Sequence, residues 1–381
     1  MTVSAPDESQ VVYETTLALA REHLAPIAEQ IDRDDEFPRA FWQLLADHGL
    51  LGGGIPEQYG GSGGDYIACA RACEAVTQVS PAVALSYGAH LNLCAHNIMR
   101  NGTEDHKTRY LPGLCDGSSI GAMALTEPDY GSDAMGIQLH AEPDGTGWTL
   151  TGSKTFITNA PIADVIVVYA RTSPGSGSRG LTAFVIDTPR DGLTAGTHFD
   201  KMGMRGSPTG ELFFDGVAVS QDDVLGEVDN GFRVVMSGLD LERAFLSYLG
   251  LGVAQECLEL SIKYARERAQ FGQPIASFQL IQAKIADMYT QLFAARAAAD
   301  QALRLSQTGV RASKECAAAL LFAGEQAVRT AEEAVQIHGG SGYLRESPVQ
   351  RYWRDSKLAT IGAGTSEIRR LLIARELLGQ R

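Results

Sequence analysis

Cysteine is scarce in this sequence and forms no metal-binding pattern. The 381 residues contain six cysteines, of which only Cys69 and Cys73 are four residues apart within a helical pattern. A structural zinc site needs about four ligands, and no second pair accompanies these two. We therefore predict that both are small buried helix residues and that the protein holds no metal. A chain of this length does not need disulfides.

Basic clusters and long apolar runs are also absent. The formal net charge is −14, and no block of Lys and Arg interrupts the acidic background. A nucleic-acid partner is not expected, because a basic stripe is needed to neutralise phosphates. No stretch approaches the length of about eighteen apolar residues that a membrane span requires. Since residues 1–8 have neither an apolar signal core nor an Arg-rich transit pattern, we expect a cytoplasmic protein.

Three regions of different periodicity follow one another, which suits a chain of two or three folding units. Apolar residues recur at helical spacing in residues 1–122. Residues 123–231 contain short β-branched segments interrupted by turn residues. Long helical patterns fill residues 232–381. The sequence thus predicts an α+β protein with an N-terminal α-helical domain, a middle antiparallel β domain and a C-terminal four-helix bundle.

The predicted elements can be given by number. The strands are expected at 148–152, 164–169, 181–186 and 211–214. The long C-terminal helices are expected at 234–268, 277–306, 312–337 and 366–377. The glycine-rich run at 60–64 follows helical sequence, so we interpret it as an interhelical turn. No glycine-rich nucleotide motif follows a strand, and a dinucleotide is therefore not expected in a Rossmann crevice.

Four segments, in order, resemble the acyl-CoA dehydrogenase family. They are MALTEPDYGSD at 123–133, RERAQFGQPIASFQ at 266–279, QIHGGSGY at 336–343 and GAGTSE at 362–367. One such match can occur by chance, but four in the same order are highly specific. The resemblance extends from about residue 40 to the C-terminus. It implies an FAD-dependent enzyme that oxidises an acyl-CoA thioester to its α,β-enoyl form.

Within this family the chain resembles the isovaleryl type, which acts in leucine catabolism. Most relatives carry the catalytic carboxylate just before the Gly-Thr of the last motif, where this chain has Ala363. The isovaleryl type has its base in a Leu-Asp-Leu-Glu-Arg segment, which occurs here at 239–243. Gly362 stands where most relatives have Tyr and would widen the pocket for a methyl branch. The resemblance therefore implies that Glu242 is the catalytic base.

The reaction itself requires a carboxylate in an apolar setting. The α-proton of a thioester is weakly acidic, so its base must lie within hydrogen-bond reach. Phe245 and Leu246 follow Glu242 by three and four residues on the same helix face, and such neighbours would raise its pKa. The alternative is an exposed carboxylate paired with Arg243. The absence of an acid at position 363 favours the base.

The resemblance also implies which residues bind FAD. Thr126 would donate its hydroxyl near the reactive edge of the flavin, and Phe156, where relatives have Trp, would begin the strand behind the ring. Arg268 and Gln279 would reach the pyrophosphate and adenine from a neighbouring subunit. The full implied set is Met123, Leu125, Thr126, Gly131, Ser132, Phe156, Ile157, Thr158, Arg268, Phe271, Gln279, Gln336, Ile337, Gly339, Gly340, Thr365, Ser366 and Glu367.

A second implied set would contact the substrate. Leu85 and Ala89, within LSYGAH at 85–90, would line the acyl end, and the Ala363 N–H would meet the enolate oxygen. The implied set is Leu85, Ala89, Ser132, Ser178, Arg179, Asp240, Arg243, Phe245, Leu246, Gly362, Ala363 and Gly364. The implied partners are acyl-CoA as substrate, an electron-transferring flavoprotein as electron acceptor, and further copies of the chain in a homotetramer.

One stretch departs from the isovaleryl pattern. Phe245, Ser247 and Tyr248 stand where that type has small residues. A ring that faces the pocket would shorten it, whereas a ring packed on a neighbouring helix would leave it unchanged. The alternative functions are therefore dehydrogenation of another short acyl thioester in a biosynthetic pathway, an oxygen-using flavin oxidase or monooxygenase, and a flavin-binding protein without catalysis.

Overall fold

A computed structural model describes residues 7–379. Before the sheet come α1 (Glu8–His23), α2 (Ala28–Asp34), α3 (Arg39–Asp47), α4 (Tyr66–Thr77), α5 (Pro81–Gly88), α6 (His96–Asn101) and α7 (Glu104–Cys115). A π-helical segment, Ala89–Ala95, joins α5 to α6. After the sheet come α8 (Gly231–Glu267), α9 (Gln279–Ser306), α10 (Ser313–His338), α11 (Pro348–Ser356) and α12 (Ser366–Leu378). The predicted order of helices, sheet and helices is confirmed.

Side-chain caps determine where several N-terminal helices begin. Asp65, Ser80 and Thr103 accept hydrogen bonds from amides in the first turns of α4, α5 and α7. Cys69 and Cys73 are buried on α4, as predicted. Among residues 7–379, no cluster of three or more His, Cys, Asp or Glu side chains is arranged to hold a metal ion.

The middle of the chain forms one eight-stranded sheet. Its strands are β1 (Gly121–Ala124), β2 (His140–Asp144), β3 (Gly147–Thr158), β4 (Val165–Arg171), β5 (Leu181–Asp187), β6 (Leu193–Ala195), β7 (Thr209–Ser220) and β8 (Val224–Leu225). The spatial order is β6-β7-β3-β2-β4-β5-β8, with β1 also beside β4. Most neighbours are antiparallel, but β4 runs parallel to β1, with Gly121 opposite Val165, and to β2, with His140 opposite Arg171. The antiparallel β2–β3 hairpin separates β1 from β4 in sequence, and the chain re-enters β4 in the direction of β1.

The long helix α8 connects the N-terminal helices with the C-terminal bundle. It packs against α9 and α10 on one side and α4 on the other. Two glycines allow this close approach. An added Cβ on Gly250 would lie 2.8 Å from the Ala323 carbonyl oxygen, and one on Gly252 would lie 2.5 Å from Thr77 Cβ. Beyond α8, a short hairpin of β9 (Ala269–Gln270) and β10 (Gln273–Pro274) leads into α9.

The four long helices agree with the predicted patterns to within a few residues, whereas α11 was not predicted. None of the helices within residues 7–379 combines the length and the apolar character needed to cross a membrane.

A buried ion pair holds the loop that follows β1. The Lys154 ammonium, which is completely buried, donates to the Leu125 carbonyl at 2.9 Å and to Glu127 Oε1 at 2.8 Å. The Glu127 carboxylate also accepts the backbone N–H groups of Gln138 and Leu139. Burial lowers the pKa of Lys154 to about 8, although Glu127 acts against this shift. One side chain of β3 therefore fixes both ends of the 125–139 loop.

We predict that Lys154→Met destabilises the fold by about 3–5 kcal/mol, because it leaves the Glu127 carboxylate buried without its cation. Denaturant unfolding monitored by circular dichroism would measure the loss. The double variant Lys154→Met/Glu127→Gln should recover part of it, since the remaining group is then neutral. The exposed Lys314→Met variant is the matched control. A loss for Lys154→Met no larger than that of the control would contradict the role of the pair.

Candidate active site

Glu242 is a buried carboxylate with no partner in the described part of the chain. It lies on α8 with 6% of its surface exposed, and it makes no hydrogen bond or ion pair with any residue of 7–379. Burial raises the pKa of Glu242 to about 7, while the cations Arg243, Arg369 and Arg100 act in the opposite direction. A carboxyl group with this pKa can exchange protons near neutral pH.

The neighbouring charges on α8 pair with each other and not with Glu242. Arg243 Nη1 lies 3.3 Å from Asp240 Oδ1, and Ser313 at the start of α10 donates to Asp240 Oδ2 at 2.6 Å. The Arg243 Nε is buried and has no acceptor among the described residues. The alternative of an exposed Glu242 paired with Arg243 does not match this arrangement.

The turn before α12 has an unusual backbone conformation. Ala363 adopts φ 54°, which costs a non-glycine residue about 1–2 kcal/mol, and Gly364 follows at φ 88°. Arg369, almost fully buried on α12, donates to the carbonyls of Ala359, at 2.8 Å, and of Gly362. Thr365 caps α12 by accepting the Ile368 N–H. The guanidinium of Arg369 thus stabilises the turn that orients the Ala363 amide.

Sequence reasoning missed Arg100, at the C-terminal end of α6. Its Nη2 lies 2.7 Å from where a Cβ on Gly238 would be, one helical turn before Glu242. The side chain is exposed by area, yet burial lowers the pKa of its guanidinium, and the two facts together describe a cation in a deep hollow. It makes no hydrogen bond or ion pair with residues 7–379. Neither its spacing nor its neighbours in the sequence mark it.

The two bulky residues after Arg243 pack on neighbouring helices. The Phe245 ring is completely buried, with its centroid 5.7 Å from Tyr66 and 6.3 Å from Tyr87. The Tyr248 hydroxyl donates to Asp300 on α9 at 2.6 Å. Leu246, the other predicted apolar neighbour of Glu242, is half-buried. Both rings therefore pack on neighbouring helices and do not face the pocket, which is the second of the two alternatives that the sequence left open.

The predicted acyl-end residues lie on the helix opposite. Leu85, on α5, is half-buried, and Ala89, at the start of the π-helical segment, is buried. An added Cβ on Gly88 would lie 3.2 Å from Phe245 Cε1, so this helix and α8 are in direct contact.

The predicted flavin residues of the sheet region lie together. The Thr155 N–H donates to the Thr126 carbonyl at 2.9 Å, which joins β3 to the 123–132 loop. Phe156 sits at φ 57° within a break in the β3–β7 register, and the ring is 68% exposed. It packs against Phe199, with centroids 5.4 Å apart. Gly131 and Ser132 are exposed at the end of the loop.

The predicted phosphate and adenine residues fall in a second group. Tyr264, one turn before Arg268, stacks on His338 with centroids 4.2 Å apart, next to Gly339 and Gly340. Phe271 is 93% exposed at the tip of the β9–β10 hairpin, at φ 51°. The predicted residues Gln279 and Gln336 are exposed as well. The side chains of Arg268, Phe271, Gln279 and Gln336 are therefore all accessible on the surface of the described chain.

A third group lines an open cavity of about 430 Å³ at the start of α12. Its walls include Thr365, Ser366 and Glu367, together with the cations Arg329 and Arg370. The Ser366 Oγ is buried and has no hydrogen-bond partner among residues 7–379. Free amides at a helix N-terminus, nearby cations and an unsatisfied hydroxyl suit an anionic ligand such as the pyrophosphate of FAD.

Two of the predicted CoA contacts stay predictions. Arg179 is exposed in the loop before β5. The side chain of Ser178 is not among those that the structure describes.

Comparisons with known proteins agree with this fold. The family profiles described as acyl-CoA dehydrogenase N-terminal, middle and C-terminal domains match residues 6–118, 122–217 and 229–378. The mitochondrial isovaleryl-CoA dehydrogenase of Solanum tuberosum is 44% identical, over 97% of this chain and 91% of its own length.

Two solved structures extend the comparison. Butyryl-CoA dehydrogenase from Megasphaera elsdenii has a TM-score of 0.96 at 36% identity, over 99% of this chain and 100% of its own. The prolyl acyl carrier protein oxidase AnaB has a TM-score of 0.94 at 32% identity, over 98% and 100% of the two chains.

The helix–sheet–helix fold and the matches to all three domain profiles define an FAD-dependent dehydrogenase of acyl-CoA thioesters. The chain belongs to the acyl-CoA dehydrogenase family.

We predict that Glu242→Gln stabilises the fold at pH 8 by up to about 3 kcal/mol. Burial raises the pKa of Glu242 from 4.5 to about 7, and each unit corresponds to about 1.4 kcal/mol. The wild-type carboxyl is protonated in both states below pH 4.5, so the fold loses stability as pH rises from 4.5 to about 7, and the loss is complete above pH 7. The gain should therefore vanish at low pH. Denaturant unfolding at several pH values would measure it, with exposed Glu267→Gln on the same helix as control. A gain that is equal at all pH values would contradict the assignment.

Proposed function

We propose that the protein dehydrogenates a short, branched acyl-CoA of the isovaleryl class to its trans-2-enoyl-CoA, with Glu242 removing the α-proton. The observation that carries the proposal is the buried carboxyl group of Glu242, which has no hydrogen-bond or ion-pair partner among residues 7–379. FAD, when bound, would supply the acceptor for the β-hydride at N5.

The surroundings of Glu242 support its role as a base. A partnered carboxylate would be too weakly basic, whereas burial brings the pKa of Glu242 to about 7. Arg243, Arg369 and Arg100 keep the ionised form accessible at neutral pH, because each favours the negative charge. Arg243 is itself held by Asp240, so it does not neutralise the base directly.

The turn at Ala363 supports stabilisation of the enolate. As the α-proton leaves, negative charge develops on the thioester oxygen, and a donor fixed beforehand lowers the barrier. In the family this donor is the amide at the position of Ala363, together with a ribityl hydroxyl of the cofactor. Arg369 holds this turn through the carbonyls of Ala359 and Gly362. Arg369 therefore fixes the turn through its carbonyl groups and leaves the Ala363 N–H free to donate to the thioester oxygen.

Gly362 supports a branched acyl group. Only Leu358 atoms, at 3.6 Å and beyond, lie near the point where a Cβ on Gly362 would be. Space that a larger side chain would fill is thus open beside the β-carbon, which suits a methyl branch.

Assembly and electron transfer complete the proposal. The exposed group around Arg268, Phe271 and Gln279 is placed to serve the cofactor of a neighbouring copy, as in a homotetramer. An electron-transferring flavoprotein would then reoxidise the cofactor.

A second candidate function keeps the α,β-dehydrogenation but differs in the group that carries the acyl chain or in the electron acceptor. The similarity to a prolyl acyl carrier protein oxidase motivates a carrier-protein thioester as substrate or oxygen as electron acceptor. Anaerobic reduction by isovaleryl-CoA, followed by slow reoxidation in air, would argue against both.

We predict that Glu242→Gln binds FAD normally but is no longer bleached by isovaleryl-CoA under anaerobic conditions, with turnover reduced by at least about 10³-fold. The amide keeps the shape of the side chain and cannot accept the proton. Absorbance near the flavin maximum during titration would measure this loss. Glu267→Gln should bleach like the wild type. Normal bleaching of the Glu242 variant would end the proposal.

We also predict that kcat/KM falls about tenfold per unit as pH decreases below 7, because only ionised Glu242 acts as a base. Arg100→Met should move this acid limb to higher pH, since it removes a cation that lowers the pKa of Glu242. Steady-state rates from pH 5.5 to 9 would test both expectations, with FAD content measured at each pH. A limb that stays in place in Arg100→Met would refute the influence of this cation.

A further inference from the structure

We propose that Met204, on the loop between β6 and β7, sets the depth of the acyl pocket and restricts it to short chains. This inference rests on the proposed function, because it assigns the end of the same site. No motif in the sequence marks Met204, which lies about forty residues from the Glu242 segment.

A small apolar cluster surrounds the predicted acyl end. Ala82, Met204 and Leu249 form its core, with 2%, 2% and 3% of their surfaces exposed, and Leu85 and Leu358 pack against it while keeping some exposed surface. The low exposure of the three core residues means that neighbouring parts of the fold cover them, so they would form a closed apolar wall behind Leu85 and Leu358. The acyl pocket would therefore end at this cluster.

Leu358 connects the cluster to the chemistry. Its Cγ lies 3.9 Å from where a Cβ on Gly362 would be, and the Gly362 N–H donates to the Leu358 carbonyl at 2.9 Å. A branched acyl chain in the space beside Gly362 would thus meet Leu358 first and Met204 behind it. On α8, Leu249 lies seven residues, about two turns, beyond Glu242, which is about 10 Å along the helix. That distance accommodates a short acyl chain.

Met204 is held in place by contacts from three parts of the chain. Its N–H donates to the buried Asp355 carboxylate at 2.5 Å, and its φ of 54° lies in the left-handed region. The next contacts along the loop are Gly206 N–H to Asp35 at 2.6 Å and Ser207 Oγ to Ser86 Oγ at 2.7 Å. The backbone of Met204 cannot move away from the cluster without breaking this set, and its side chain is covered by its neighbours, so Met204 would form a boundary of the pocket.

Phe245 does not perform this role. Its ring belongs to a different cluster with Tyr66 and Tyr87, and its contact on α5 is with Gly88. The departure from the isovaleryl pattern at position 245 therefore leaves the boundary at Met204 unchanged.

The test compares Met204→Ala with Met202→Ala. Met202 lies on the same loop but is 61% exposed, which makes it the matched control. Relative kcat/KM values for straight and branched thioesters from C4 to C8 would be measured on the FAD-loaded enzymes. We expect Met204→Ala to raise the ratio of hexanoyl-CoA to isovaleryl-CoA at least about tenfold, since a single methylene in an apolar pocket is worth about 10–200-fold. Met202→Ala should leave the ratio unchanged.

A second variant guards against misfolding of the first. Leu358→Ala removes another wall of the same pocket end from a different segment, and it should shift the ratio in the same direction. An unchanged profile in a folded, FAD-loaded Met204→Ala enzyme would overturn the inference, as would an equal shift in Met202→Ala. If no thioester bleaches the wild-type flavin, the proposed function itself fails, and this outcome is distinct from an unchanged chain-length profile.

Discussion

The site depends on keeping one carboxyl group out of water without giving it a partner. Glu242 is buried on the longest helix, and the cations around it either pair elsewhere, as Arg243 does with Asp240, or hold backbone carbonyls, as Arg369 does. Burial therefore dominates, and the pKa of Glu242 rises to about 7. A folded state that contains such a group gives up stability at neutral pH, and a carboxyl group with this pKa would suit the base that the proposed function requires.

At three places near the site the backbone departs from regular structure, and a buried polar side chain supports each of them. Lys154 holds the 125–139 loop through Leu125 and Glu127, Arg369 holds the turn at Ala363, and Asp355 holds the loop at Met204. In each case a buried polar side chain satisfies main-chain groups that no helix or strand could satisfy. Strained conformations at Ala363 and Met204 persist because the surrounding structure fixes them.

Periodicity predicted the order of helices, sheet and helices, and the long bundle helices, because long amphipathic segments carry strong local signals. The parallel pairing of β1 with β4 was missed, since strand partners depend on contacts distant in sequence. Glu242 could be singled out because Ala363 lacks an acid. Arg100, Arg369 and Met204 could not be singled out, because each acts through tertiary contacts that leave no local pattern. The sequence also could not predict where the side chains of Phe245 and Tyr248 point. That depends on which face of α8 each residue occupies and on which helix packs against that face.

Two sets of residues around one substrate thus have separate structural supports. In the proposed function, Glu242 on α8 would take the proton, and the turn that Arg369 stabilises would meet the enolate charge. The acyl end would be bounded by Leu85, Leu358 and Met204, which come from three segments far apart in sequence. Leu358 belongs to both sets, because the Gly362 N–H donates to its carbonyl. Among the described residues, no hydrogen bond links the loop at Met204 to Glu242 or to the turn at Ala363, so a substitution at Met204 would alter chain-length preference and preserve the geometry of proton removal. This separation gives a physical reason why relatives with one fold and one chemistry are named for different acyl groups.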